Sequence, residues 1–184
     1  TFPIIFVHGH AVKKSNSPEY SFDTFDKIQH KLQTEGFLNA GALFYAEKGK
    51  GAYFNDKRIF VSKDDAMHAI VTIPSGRKEM DLKLRRELYH DLSENTLGAT
   101  RNLGSAALEL AYIARGNIEA SIVIGLSSYD FAAGTLLIQE AGGKILNFDG
   151  SPWKFPDGYF VACNGVFSDL IIGEIKKQKD RLNI

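Results

Sequence analysis

The sequence predicts an α/β protein, with helices covering a mixed sheet. Three observations carry that reading. Short apolar runs bounded by turn residues, such as Ile4–Val7 and Ile118–Gly125, read as strands covered on both faces. Segments with apolar residues three or four apart, such as Leu84, Leu88 and Leu92, read as amphipathic helices. The two kinds alternate without internal repeats or low-complexity tracts, the pattern of layered α/β domains. At 184 residues the chain suits one domain able to bury a core without cross-links.

Taken in order, Ile4–Val7 is a strand ended by His8-Gly9-His10, and a polar loop through Lys13–Pro18 follows. Ser21 or Asp23 caps a helix with apolar Phe22, Phe25, Ile28 and Leu32, stopped by Gly36. Ala42–Tyr45 is a second strand, so the opening reads as a βαβ-like segment. Ala52–Phe54 and Arg58–Val61 flank Asn55-Asp56-Lys57, the signal of a hairpin turn. Ala69–Ile73 is a strand closed by Pro74-Ser75-Gly76, and Met80–Leu92 is a helix. A short strand is expected within Thr96–Thr100, then an apolar helix Ser105–Arg115 ended by Gly116. The Ile118–Gly125 strand leads through a polar turn into a helix opened by Asp130 and closed near Ala141. Strands Lys144–Phe148 and Tyr159–Ala162 and a last helix, Ser168–Arg181, complete the chain; its basic end complements the helix dipole.

Composition removes several function classes. Lys plus Arg and Asp plus Glu both number 22, so no basic excess points to nucleic acid, and any anion site must be local. No run approaches the ~20 apolar residues of a membrane span. A lone Cys163 forms no internal disulfide and fits a reducing, cytoplasmic location. The chain begins at Thr1 and enters Phe2–Val7 without a basic flank, so this stretch reads as a buried strand of a processed or truncated protein rather than a signal peptide.

Chemistry concentrates in two places. Asp130 stands at the mouth of a strand-to-helix turn, where a carboxylate either caps the helix or binds a hard cation through oxygen. Gly104, Ser105 and Ala106 open another helix; small residues permit close approach to a ligand and the helix start offers free N–H donors, while the bland alternative is a Ser cap and tight packing. Arg101 either supports that turn or is an ordinary surface residue. Gly49-Lys50-Gly51 lacks the spacing and the Ser or Thr of a phosphate loop and reads as a hairpin turn. Ser127 and Ser128 have no His with a defined partner. The histidines at 8, 10, 30, 68 and 90 are scattered and complete no zinc set. Asp149-Gly150-Ser151 and Asp157-Gly158-Tyr159 are turn sequences.

Three segments resemble the inositol monophosphatase family. Tyr45–Asn55 with Arg58–Ser62 is similar to its glycine-rich hairpin, Arg101–Ala107 to its arginine-led helix start, and Tyr129–Gly134 with Glu140–Gly143 to its C-terminal signature. The resemblance covers about residues 43–184 and implies the C-terminal half of that family's layered sandwich. It implies Mg²⁺-dependent hydrolysis of a small phosphate ester of inositol or a sugar, with Asp130 a metal ligand and Gly104, Ser105 and Ala106 contacting substrate. A homodimer also fits. Two departures stand out. The family's upstream Asp-Pro-x-Asp-Gly-Thr motif does not occur, and Val123 stands where inositol-selective members carry a glutamate. Residues 1–41 resemble instead the opening strand and helix of an α/β-hydrolase, with His8-Gly9 at its oxyanion-hole loop, yet no Gly-x-Ser-x-Gly elbow follows. The expectation is a hydrolase-like opening, 1–41, joined to a phosphatase-like domain, 42–184, in a truncated or chimeric chain that is incomplete and inactive. The alternatives are an esterase fragment and a non-catalytic scaffold.

Overall fold

The computed structural model describes residues 4–7, 10–11, 43–64, 69–95, 99–166 and 168–184. Its first sheet contains β1 (Ile4–Val7), β2 (His10–Ala11), β3 (Leu43–Glu47), β4 (Gly51–Phe54) and β5 (Lys57–Ile59). They lie in the order β2-β1-β3-β4-β5, every neighbouring pair antiparallel. The second sheet contains β6 (Ile70–Thr72), β7 (Ala99–Arg101), β8 (Ala120–Ile124), β9 (Lys144–Leu146) and β10 (Tyr159–Cys163), in the order β7-β6-β8-β10-β9. This one is mixed: β6 runs parallel to β7 and β8, and β10 antiparallel to β8 and β9. The helices are α1 (Glu79–Asn95), α2 (Ala106–Ala114), α3 (Ser128–Glu140) and α4 (Ser168–Leu182).

Layering follows from which face of each strand is apolar. All five residues of β8 are buried, as a continuous apolar run predicts for a strand covered on both sides. Val123 points to one side with Phe160 and Ala162, where α2 and α3 fill the space between the two sheets through Leu110, Ile113, Phe131 and Leu137. Phe44, Ala46, Ala52 and Ile59 of the first sheet close that cluster from beyond. Ile122 and Ile124 point the other way, against Leu84, Leu88 and Leu92 of α1 and Ile171 and Ile175 of α4.

Among the described residues the expected elements are present with shifted ends. In the β4–β5 hairpin, Asn55 and Asp56 both adopt positive φ (46° and 64°), the two-residue turn that matches strand twist; Lys57 therefore belongs to β5, which stops at Ile59. α3 begins at Ser128, not at Asp130, because Ser127 is extended and takes the N-cap position. β1 pairs with β3 along its whole length, but antiparallel, whereas a βαβ crossover joins parallel strands. The expected 22–32 helix and the His8-Gly9 loop lie outside the described residues.

On the outer face, Asp91 of α1 ties down α4. Its carboxylate, 6% exposed as a residue, accepts hydrogen bonds from Gln178, from Lys177 at 3.1 Å and from Arg181 at 3.2 Å. His90, Lys177 and Gln178 hold its pKa down to about 2, against 3.8 ordinarily. The unfolded chain therefore binds this proton first, so the contact stabilises the fold above about pH 4 and is lost as pH falls toward 2. Asp91→Asn is expected to flatten the acid limb of stability measured by urea unfolding between pH 4 and 2.

The approach of α2 to α3 is set by Gly134, where an added Cβ would lie 2.5 Å from Leu110 Cβ. Gly134→Ala must push two buried helices apart, and it is expected to cost about 1–3 kcal/mol in urea unfolding despite alanine's better helix propensity.

Candidate functional site

The starts of α2 and α3 open onto one cleft of about 530 Å³. Gly104, Ser105, Ala106 and Ala107 line it from α2, and Tyr129 and Asp130 from α3. The structure thus brings together all four candidate site residues read from the sequence. The β6–α1 turn contributes Pro74, Ser75 and Arg77, and α1 adds Arg85.

Ser105 is both cap and wall. It is extended (φ −141°, ψ 106°), and its hydroxyl accepts the Leu108 N–H at 3.4 Å, while its carbonyl accepts the Glu109 N–H at 3.0 Å. Ala106 and Ala107 have no carbonyl one turn earlier within α2, and no acceptor for their N–H groups stands among the described residues, which leaves them at the positive end of the helix dipole facing the cleft. Before them, the Asn102 side chain accepts the Gly104 N–H at 2.9 Å, and Gly104 takes φ +79°.

Asp130 occupies the third position of α3, half-buried, with its N–H donated to the Ser127 carbonyl at 2.9 Å. Ser127, the N-cap, makes no side-chain cap. A first-turn carboxylate in this place favours the helix electrostatically and also faces the cleft. The other carboxylate on the lining, Glu109, is 1% exposed; burial raises its pKa, while the Leu103 N–H, donated to its Oε1 at 2.9 Å, works the other way. Among the described residues, no three His, Cys, Asp or Glu side chains come together as a metal site.

Asp81 is 4% exposed and accepts the Tyr159 hydroxyl at 3.0 Å, which joins α1 to β10. Burial and that carboxylate raise the Tyr159 pKa. Arg101 stays at the surface and donates to the Thr100 carbonyl at 3.0 Å. Val123 is fully buried in β8 and does not line the cleft. The Gly49-Lys50-Gly51 turn is closed to anions for a specific reason: its Gly49 and Gly51 N–H groups donate to the two carboxylate oxygens of Glu140, at 2.8 and 2.9 Å. Asp149 and Asp157 accept the N–H two residues on, as turn residues do.

Sequence reasoning missed Glu109, Arg77 and Arg85. The one available signal was Glu109 itself, a lone acid within an otherwise apolar helix; nothing in the spacing marks the arginines. Around Gly104 there is open space for a Cβ, so substitution there acts through the backbone alone. Gly104→Ala is expected to lose about 1–2 kcal/mol in urea unfolding, and Gly104→Asn less, since asparagine tolerates the left-handed region.

A model described as the inositol monophosphatase family matches residues 32–180. An inositol-1-monophosphatase of Mesorhizobium japonicum is 36% identical over 157 residues, covering 79% of this chain and 58% of that protein. A fructose-1,6-bisphosphatase/inositol-1-monophosphatase of Thermotoga maritima is 31% identical over 172 residues, covering 92% of this chain and 62% of that protein. Among solved structures, a Thermotoga maritima IMPase superposes with a TM-score of 0.68 at 27% identity, over 77% of this chain and 54% of the other. An inositol monophosphatase from Anabaena superposes with a TM-score of 0.67 at 28% identity, over 74% and 57%. The chain thus spans little more than half the length of these relatives, and by sequence and fold alike it belongs to the inositol monophosphatase family.

Proposed function

We propose that this chain supplies the substrate-holding half of a phosphomonoesterase for small phosphate esters, inositol or sugar phosphates, and does not turn them over by itself. The observation that carries the reading is the meeting of Gly104–Ala106 and Asp130 on one cleft at two helix N-termini. Its volume, about 530 Å³, is in the range of small-molecule sites. Free N–H groups of Ala106 and Ala107 suit phosphoryl oxygens, and the helix dipole favours their charge. Since the chain has no net charge, attraction for an anion is local, and Arg77 and Arg85 on the lining provide it.

Magnesium is the family's expected cofactor, and Asp130 is the residue here with the right donor. A site that activates water and holds phosphate oxygens needs several converging hard ligands. Among the described residues Asp130 and Glu109 are the two carboxylates on the lining, and one Glu109 oxygen already accepts the Leu103 N–H. That set does not fit a complete magnesium site. The residues present bind and orient: α2 receives the phosphoryl group, and the exposed Tyr129 borders the opening.

Purified chain assayed on inositol phosphate and fructose bisphosphate with millimolar Mg²⁺ is expected to show no turnover above background, and Asp130→Ala to change nothing in that assay. Turnover abolished by Asp130→Ala overturns the half-site reading, because other residues then complete the centre.

A further inference from the structure

The segment that presents the α2 amides to the cleft is poorly supported by packing. Residues Arg101, Asn102, Leu103 and Gly104 are all exposed, Leu103 to 43%, so no apolar burial fixes the turn. Beyond the β6–β7 pairing of Arg101, two hydrogen bonds among the described residues hold it. One is local, from the Gly104 N–H to Asn102 Oδ1. The other reaches into the interior, from the Leu103 N–H to Glu109 Oε1 at 2.9 Å.

Glu109 is well placed for that task. It lies on α2 one turn beyond Ser105, so it shares the rigid body whose amides it would position. The side chain is 1% exposed and its neighbours limit its movement: Thr72 from β6, Arg85 from α1 and the Gly104 amide all lie close enough to act on its charge. Its second oxygen, Oε2, is buried and has no hydrogen-bond partner among the described residues, and the residue lines the cleft. Ser121 Oγ is likewise buried without a hydrogen-bond partner among the described residues, and β6–β8 register sets it beside Thr72. A carboxylate kept in so dry a place on an otherwise apolar helix is costly unless it does something a leucine would not.

Resting on the phosphate-ester reading above, we propose that Glu109 is a positioning residue for the cleft: through the Leu103 N–H it fixes the Asn102–Ser105 turn, and so sets the direction of the Ala106 and Ala107 amides toward a phosphoryl oxygen. Glu109 itself does not touch the ligand. Its removal leaves the donors present but loosely aimed, and affinity for the anion falls while the core persists.

The 184-residue chain titrated with inorganic phosphate, followed by the amide resonances of Gly104–Ala107, tests this together with hydrogen exchange at Leu103 measured without ligand. Glu109→Ala is expected to weaken phosphate binding about tenfold, the loss of one hydrogen bond to a charged group. The same variant is expected to speed Leu103 exchange by a similar factor, with β8 amides unchanged. Glu109→Gln retains an acceptor oxygen and is expected to restore most of both. Glu109→Met, volume-matched but without an acceptor, replaces the alanine variant if that one does not fold, and must behave as alanine would. Wild-type phosphate affinity in Glu109→Ala or Glu109→Met overturns the inference, as does a Leu103 exchange rate that neither variant changes. Failure of the wild-type chain to show any phosphate-dependent shift at Gly104–Ala107 sinks the phosphate-ester reading instead, and the Leu103 rates alone then decide whether Glu109 holds the turn.

Discussion

The close contact of α2 and α3 at Gly134 and Leu110 is the constraint on which the rest depends. Without a side chain at 134, the two helices approach nearly backbone to side chain, and their N-termini open on the same side of the middle layer. That arrangement makes one cleft out of two ordinary helix starts. It also explains why the middle layer is so apolar: between two sheets there is no room for a hydrated face, and Phe131, Leu137, Ile138 and Ile113 fill the space. Gly134 thus acts on the site through packing, from a full turn inside the helix.

A second theme is the use of glutamate as a receiver of backbone N–H groups at places where secondary structure leaves them unpaired. Glu140 takes the Gly49 and Gly51 amides of the β3–β4 turn. Glu119, 6% exposed, accepts the Ile70 N–H at the start of β6. Glu109 takes Leu103. Glu140 and Glu109 each tie down a turn, whereas Glu119 reinforces a junction that β6–β8 pairing already makes, and each converts an acidic residue of ordinary sequence context into structure. Asp81, bonded to Tyr159 across 78 positions of chain, plays a related part with a side-chain donor.

These long-range carboxylates mark where sequence reading ran out. Elements themselves were legible, because period and turn chemistry are local: Leu84, Leu88 and Leu92 announce α1, and Asn55-Asp56 announces its hairpin. Sheet membership was not. Nothing in an apolar run says which sheet it joins, so the division into two sheets and the antiparallel pairing of β1 with β3 appear only in three dimensions. The candidate site was half legible. Gly104–Ala106 and Asp130 belong to contiguous motifs, whereas Arg77, Arg85 and Glu109 reach the cleft from a loop and two helices whose pattern signals helix and nothing more.

Cys163 ends β10, fully buried in the strand between β8 and β9, and burial raises its pKa. It is also the one thiol of the sequence. A thiol reagent therefore meets a single target, and it meets it as a buried, poorly ionised group. Labelling at this position reports on opening of the central strands, separately from any motion at the cleft, so the chain carries a built-in clock for the integrity of its core.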